Sequence, residues 1–201
     1  LKKMLLLKDS QGFNALFLTK NEKIFNFLFE KVYCEYLRPE IFIFETDNKG
    51  RNLFYHLAKN GTVLMLKTVA DKLKKDLSPT NFMNLLKSKN KAHQNIIHTA
   101  VKHNKSKESL EFLVNLFNMD DAKKMLMEQD ENYLIPLQLV VKLKRVDHFR
   151  TLFKCYENNL NDFEIMCIFM MYEKGTGKKL LSFVEEPMMG DAIMEVFHKY
   201  S

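Results

Sequence analysis

The residues that look most like chemistry sit in "GTGKKLL", Gly175 to Leu181, where a Gly-Lys pair suggests a loop that wraps a phosphate. Such a loop needs another Gly, separated by four residues from that pair, and a hydroxyl after the Lys to hold magnesium. Tyr172 occupies the place of the first Gly and Lys179 that of the hydroxyl, so the segment reads as a turn. His93, His98 and His103 are the next candidates. Their five-residue spacing does not align them on one helix face, and with no Cys close by they make no zinc site. Asp, Glu, Ser and Cys supply no triad that spacing alone can assemble. The expectation is a chain with no catalytic residues, no metal and no cofactor.

Cys34, Cys155 and Cys167 form an odd set without a CxxC pair. Free thiols in a reducing compartment follow, hence an intracellular setting, cytoplasmic or nuclear. Cys155 and Cys167 lie in apolar helical stretches and are expected as small core residues. Met166, Met170 and Met171 read as core filling or as an adaptable groove, with core filling preferred. No apolar run reaches the ~18–20 residues of a membrane span. Ile165 to Tyr172 is apolar but short, and reads as a buried helix. The start, "LKKMLLLKD", carries no secretory signal pattern and no initiating Met, which fits a piece of something longer.

Charge is the one non-trivial surface feature. The chain of 201 residues carries a net charge of +6. From Lys67 to Lys107 a run of lysines, Lys91 and Lys102 among them, faces only Asp71 and Asp76. An acidic protein partner, an anionic membrane or nucleic acid would each exploit such a surface. The plain alternative is a solvated lysine face that keeps the protein soluble. No aromatic stacking platform interleaves with these lysines, which makes nucleic acid the minor alternative, unlikely to be the partner but not excluded.

The elements that position these residues repeat. "DNKGRNLFYHLAKNG", from Asp47, has companions starting near residues 9, 90, 130 and 174. Each is a polar turn followed by an apolar helix start. Gly12, Gly50, His93, Tyr133 and Gly177 share one slot and recur every 38 to 44 residues. Gly there permits a positive φ, so His93 and Tyr133 imply either a changed turn or a tolerated strain. A second amphipathic run follows each copy, "TVLMLKTVADKL" and "KESLEFLVNLF" for example. Stretches such as "LSPTNFMNLLKSKN" are left as lengthened connections. One helix pair cannot bury its own apolar face, so neighbours must stack.

The pattern resembles the ankyrin repeat. Asp47, Gly50, Asn52, Phe54, Ala58 and Gly61 follow that family's frame, as do Asn95, Ile97, His98 and Ala100 in the third copy. Ile135, Pro136 and Leu137 supply the β-branched–Pro–Leu step in the fourth, and Gly177, Leu181, Val184, Gly190 and Asp191 keep the frame in the last. HEAT and tetratricopeptide arrays share the two-helix unit and stay open as alternatives. The expected fold is all-α, an ankyrin-like solenoid of about five helix-turn-helix repeats with short β-turn or hairpin tips. It spans residues 1–201 as a single array.

The resemblance implies a non-catalytic protein–protein interaction scaffold that uses turn tips and the exposed side of each first helix. It makes His98 a structural residue that hydrogen-bonds an adjacent turn. It also assigns contact slots to Asn48, Lys49, Arg51, Lys59 and Asn60 in the second copy. The third copy contributes Lys91, Gln94, Lys102 and His103, and the fourth Glu131, Asn132, Leu134 and Lys142. With so many cations among them, the expected partner is another protein presenting an acidic segment. Other readings are a basic module for nucleic acid or an anionic membrane surface, and the regulatory cytosolic region of a larger protein. Nothing in the residues sets an oligomeric state.

Overall fold

Most helices begin where a short polar side chain accepts an amide that the first turn leaves free. Asn14 caps α1 (Ala15–Leu18), and Asn21 accepts from Ile24 at the start of α2 (Glu22–Glu35). Asn52, Thr62 and Ser78 cap α3 (Leu53–Asn60), α4 (Val63–Asp76) and α5 (Pro79–Lys87). Asn95, Ser106 and Asn118 do the same for α6 (Ile96–His103), α7 (Lys107–Val114) and α8 (Met119–Met127). At α9 (Pro136–Lys142) the start is set by Pro136, whose missing amide costs nothing there. Helix α10 (Val146–Asn159) follows, then α11 (Asp162–Met170), which Asn161 and Glu164 close with a reciprocal capping box. A single 3-10 turn (Leu180–Phe183) and α12 (Met189–Phe197) complete the order.

This computed structural model describes residues 7–35, 43–172, 177–183 and 188–200. Among the described residues the protein is all-α, and its one β-type pairing is the isolated Tyr172–Lys179 bridge. Gly175 and Thr176 of the phosphate-loop candidate, Lys174 at the start of the fifth copy, and Val184 lie outside the described residues.

First helices pack on first helices in the order α1, α3, α6, α9 and the 3-10 turn. Second helices do likewise through α2, α4, α7, α10 and α12. In the central first helices the opening turns are enclosed on every side. Leu53 to Ala58 in α3, Ile96 to Val101 in α6 and Pro136 to Val141 in α9 are all buried. Only the last turns, with Lys59, Lys102, His103 and Lys142, reach solvent. Each fully buried Leu, Ile or Phe contributes about 1.5–3 kcal/mol relative to exposure.

The lengthened connections are helices, which corrects the two-helix unit. "LSPTNFMNLLKSKN" holds α5, with Ser78 as cap, Pro79 in the first turn and Phe82, Leu85 and Leu86 buried. Helices α8 and α11 are its counterparts, burying Ala122, Met125 and Leu126, and Ile165, Ile168 and Phe169. Units two to four are therefore turn plus three helices. In α11 the apolar stretch is split between inside and outside: Cys167 and Met170 are exposed, while Met166 is partly buried against the core. Cys155 is buried as expected; Cys167 is not.

Candidate functional site

Four turns, at residues 9–13, 47–51, 90–94 and 130–134, share one hydrogen-bond scheme. Oδ1 of the first residue accepts from the amides two and four positions on. Asp9, Asp47, Asn90 and Asp130 each do this, at 2.8–3.2 Å. The fourth residue always has positive φ: 82° at Gly12, 74° at Gly50, 55° at His93 and 61° at Tyr133. The turn is thus unchanged in copies three and four, and the non-glycine residues tolerate the strain. Neighbouring tips are tied together by main-chain bonds, Asn48 N–H to Gln11, Lys91 N–H to Lys49 and Glu131 N–H to Ala92, at 2.9–3.1 Å.

The tips and the ends of the first helices enclose a cleft of about 520 Å³, lined by Lys49, Arg51, Lys59, Asn90, Lys91, Ala92, Gln94, Lys102, His103, Glu131 and Asn132. Three successive units contribute. Lys49 and Lys91 stand on the tips, whereas Lys59, Lys102 and His103 lie in the last turns of α3 and α6. Among the described residues, none of Lys49, Lys59, Lys91 and Lys102 makes an ion pair. Lysines of the same chain segment on the outer face behave differently. Lys72 pairs with Asp76 at 3.6 Å, Lys89 with Glu128 at 3.2 Å, and Lys87 with Asp121. Of the Lys67–Lys107 lysines, Lys72, Lys87 and Lys89 are neutralised by carboxylates, Lys91 and Lys102 converge in the cleft, and Lys67, Lys74, Lys75, Lys105 and Lys107 make no ion pair among the described residues.

In comparisons with known proteins, no protein-family model matches the chain, and no curated protein matches its sequence. The functional argument rests on the cleft itself.

Its field acts on its own members. The cleft walls, then repulsion from Lys59, Lys102, Arg51 and Arg145, push His103 down to about 4. The ring stays solvent-exposed, which screens part of that repulsion. Partial burial together with Arg51, Lys20 and Lys49 holds the Lys59 ammonium below its ordinary value. Arg51 is the exception, because its Nε donates to Asp47 Oδ2 at 2.7 Å. His56 Nε2–H donates to the same oxygen at 3.1 Å. Burial would push the Asp47 carboxyl up, but amides and guanidinium of Arg51 and the Lys49 amide hold it below its ordinary value.

Of the contact residues expected from sequence, the cleft gathers Lys49, Arg51, Lys59, Lys91, Gln94, Lys102, His103, Glu131 and Asn132. Leu134 is not available for docking. It is 3% exposed, and its amide and carbonyl are engaged by Asp130 and His98. Gln94 is also buried, its Nε2 donating to Asp130 Oδ2 at 3.3 Å, so it forms wall rather than contact surface. Each follows an exposed residue, His93 or Tyr133, but is engaged by an adjacent unit: Gln94 by Asp130 and Leu134 by His98. Asn48 is exposed but donates to the Ser10 carbonyl at 2.9 Å. Asn60 lines an adjoining cavity with Lys59, His103 and Lys105, and Lys142 is exposed outside the cleft.

Sequence reasoning passed over Asn90, which lines the cleft from the turn-start slot that Asp47 fills in the second unit. It also passed over Asn104 and Arg145, which reach back to helix ends of the preceding units. Asn104 Nδ2 donates to the carbonyls of Ala58 and Gly61 at 3.0 and 3.3 Å, and Arg145 donates to the Val101 carbonyl. No group of His, Cys, Asp and Glu among the described residues is placed to hold a metal ion. No helix among them is long and apolar enough to cross a membrane.

Proposed function

We infer that the chain is a non-catalytic protein-interaction scaffold, an ankyrin-like helical array that docks an acidic segment of a partner protein in the cleft. The observation that carries this reading is the convergence of Lys49, Lys59, Lys91 and Lys102 from two successive units without carboxylate partners. Concentrating like charges costs stability unless a ligand recovers it. The mechanism is rigid presentation. Tied tips and enclosed first helices fix the backbone positions that carry the lysines before the partner arrives, so less backbone ordering entropy opposes binding. The free thiols go with a reducing, intracellular setting, cytoplasmic or nuclear. The lining holds no Phe, Tyr or Trp, and His103 is its one aromatic ring, which favours an acidic peptide over a run of stacked bases.

Binding of a fluorescent oligoglutamate peptide at low salt tests the proposal. The triple variant Lys49→Glu, Lys91→Glu, Lys102→Glu should lose binding while melting at the temperature of the parent. Equal affinity of parent and variant would refute the cleft as the docking site.

A further inference from the structure

We propose that the docked segment is phosphorylated, with its phosphoryl group held between Lys59 and Lys102 and its flanking carboxylates met by Lys49 and Lys91. This deepens the docking reading and rests on it.

The volume of the cleft is the first argument. About 520 Å³ is the size of a small-ligand pocket, not of a long groove. Four unpaired ammonium groups line it against a single carboxylate, Glu131. Balancing that excess with side-chain carboxylates would need several acidic residues packed together in a small space. One phosphoryl group carries about −1.5 to −2 charges and three acceptor oxygens at a single point.

The second argument is what these lysines are not doing. A cation in the last turn of a helix ordinarily serves the free carbonyls there. In α3 and α6 part of that work is done by other donors. Asn104 Nδ2 donates to Ala58 and Gly61, the Asn104 amide to Ala100 at 2.9 Å, and Arg145 to Val101. Lys59 and Lys102 bond to no carbonyl among the described residues, and both line the cleft from helices that pack together.

The third argument is the choice of cation. The planar fork of an Arg matches carboxylate and phosphate alike, but one edge of Arg51 is already spent on Asp47. What the cleft offers freely is ammonium groups, point charges that suit a tetrahedral phosphate in any rotation. His103 stands beside them with an exposed ring that offers one N–H donor in its neutral form.

The test uses three probes at low salt, read by fluorescence anisotropy and competition. They are a short Glu/Gly peptide with one central phosphoserine, its unphosphorylated twin, and inorganic tripolyphosphate. The phosphopeptide should bind at least about tenfold more tightly than its twin. That preference should vanish in Lys59→Gln, Lys102→Gln, and survive in Lys59→Arg, Lys102→Arg. In Lys49→Gln, Lys91→Gln both peptides should weaken by the same factor. Thermal melts of each variant confirm the fold. Equal binding of the two peptides overturns the phosphoryl assignment and leaves the acidic-segment reading standing. Tripolyphosphate binding more tightly than the phosphopeptide assigns the cleft to a free polyphosphate and overturns the segment. If neither peptide binds, both readings fall.

Discussion

The Nε2–H of His98 donates to the main-chain carbonyl of Leu134 across 2.9 Å, joining the third unit to the turn of the fourth. The equivalent position in the second unit is Tyr55, whose hydroxyl lies 2.6 Å from the carbonyls of Ser88 and Gln94. In the fourth it is Gln138, whose Nε2 donates to Met171 at 3.4 Å. The three side chains all tie the first helix to main-chain carbonyls beyond it: His98 to the next turn, Gln138 to the end of α11, and Tyr55 within reach of both kinds of site. Asn52 and Asn95 add a parallel tie, donating to the carbonyls of Leu85 and Met125 at 2.9 and 2.8 Å. These bonds explain how polar residues sit inside the first-helix layer without a desolvation penalty.

Replacing His98 with Ala removes one of two donors to the buried Leu134 carbonyl, which keeps the Asp130 amide at 3.0 Å, and should cost about 0.5–1.5 kcal/mol beyond the lost packing. His98→Gln, which borrows the residue used at position 138, should recover part of that loss. Urea titrations of the two variants measure the difference. Equal destabilisation by Ala and Gln would show that the hydrogen bond does not matter.

At the turns, space and backbone conformation make separable predictions. A Cβ on Gly12 would sit 2.8 Å from the Asn48 amide nitrogen, whereas one on Gly50 meets nothing nearer than 3.5 Å. Gly50→Ala should therefore cost only the left-handed penalty, about 1–2 kcal/mol, and Gly12→Ala more. His93 has φ 55° and an exposed side chain, so His93→Gly should leave stability unchanged or raise it by up to about 1 kcal/mol. Melting temperatures in that rank order are the expected result, and a lower one for His93→Gly would count against strain at this slot.

Acid should loosen the second unit. Burial lowers His56 to about 4, and the Asp47 carboxylate only partly opposes it. The ring is 7% exposed and stacks on Phe17 at 4.2 Å between centroids. Because the folded value lies below the ordinary 6.5, the neutral ring's contribution is complete above pH 6.5. It drains away as pH falls toward 4, by about 3 kcal/mol at most. His148, buried and donating to the Asn104 carbonyl at 3.0 Å, is shifted in the same direction by burial and by Arg145. Unfolding free energy measured from pH 7 to 4.5 should decline, and the decline should be shallower in His56→Gln.

The cations of the cleft should separate into two classes under charge reversal. Arg51→Glu would set a second carboxylate against Asp47, whose own carboxylate is fully buried, and should destabilise by about 3–5 kcal/mol. Lys49→Glu and Lys91→Glu, on exposed tips, should stay within about 0.5 kcal/mol of the parent while weakening anion binding. Chemical denaturation alongside peptide binding distinguishes the classes. A stable Arg51→Glu protein would mean that the Asp47 pair does not hold the turn.

Much of this was readable in one dimension. The five slots from Gly12 to Gly177 reveal the repeat because a positive-φ turn constrains residue choice locally, wherever the turn lies. Asn95 and Asn52 announce helix starts for the same reason: a cap acts within three residues of itself. The third helices were legible too, since Ser78, Asn118 and Asn161 each precede a buried apolar run. They were overlooked because a short helix between two longer ones looks like connection until its apolar face finds a neighbour.

Burial and the pairing of charges between units were not readable, because both depend on residues distant in the chain, as Lys87 with Asp121 and Lys89 with Glu128. Leu134 and Gln94 belong to the same turn register as exposed residues, and only the adjacent unit's arrival covers them. Lys87 and Lys91 look alike along the chain, yet Asp121 reaches the first and no carboxylate among the described residues pairs with the second. The amino-acid order determined the helices, their turns and the repeat, since those are governed by contacts within a few residues. Tertiary packing decided which lysines meet a carboxylate and which converge unneutralised, because electrostatic partnership is a matter of distance in space.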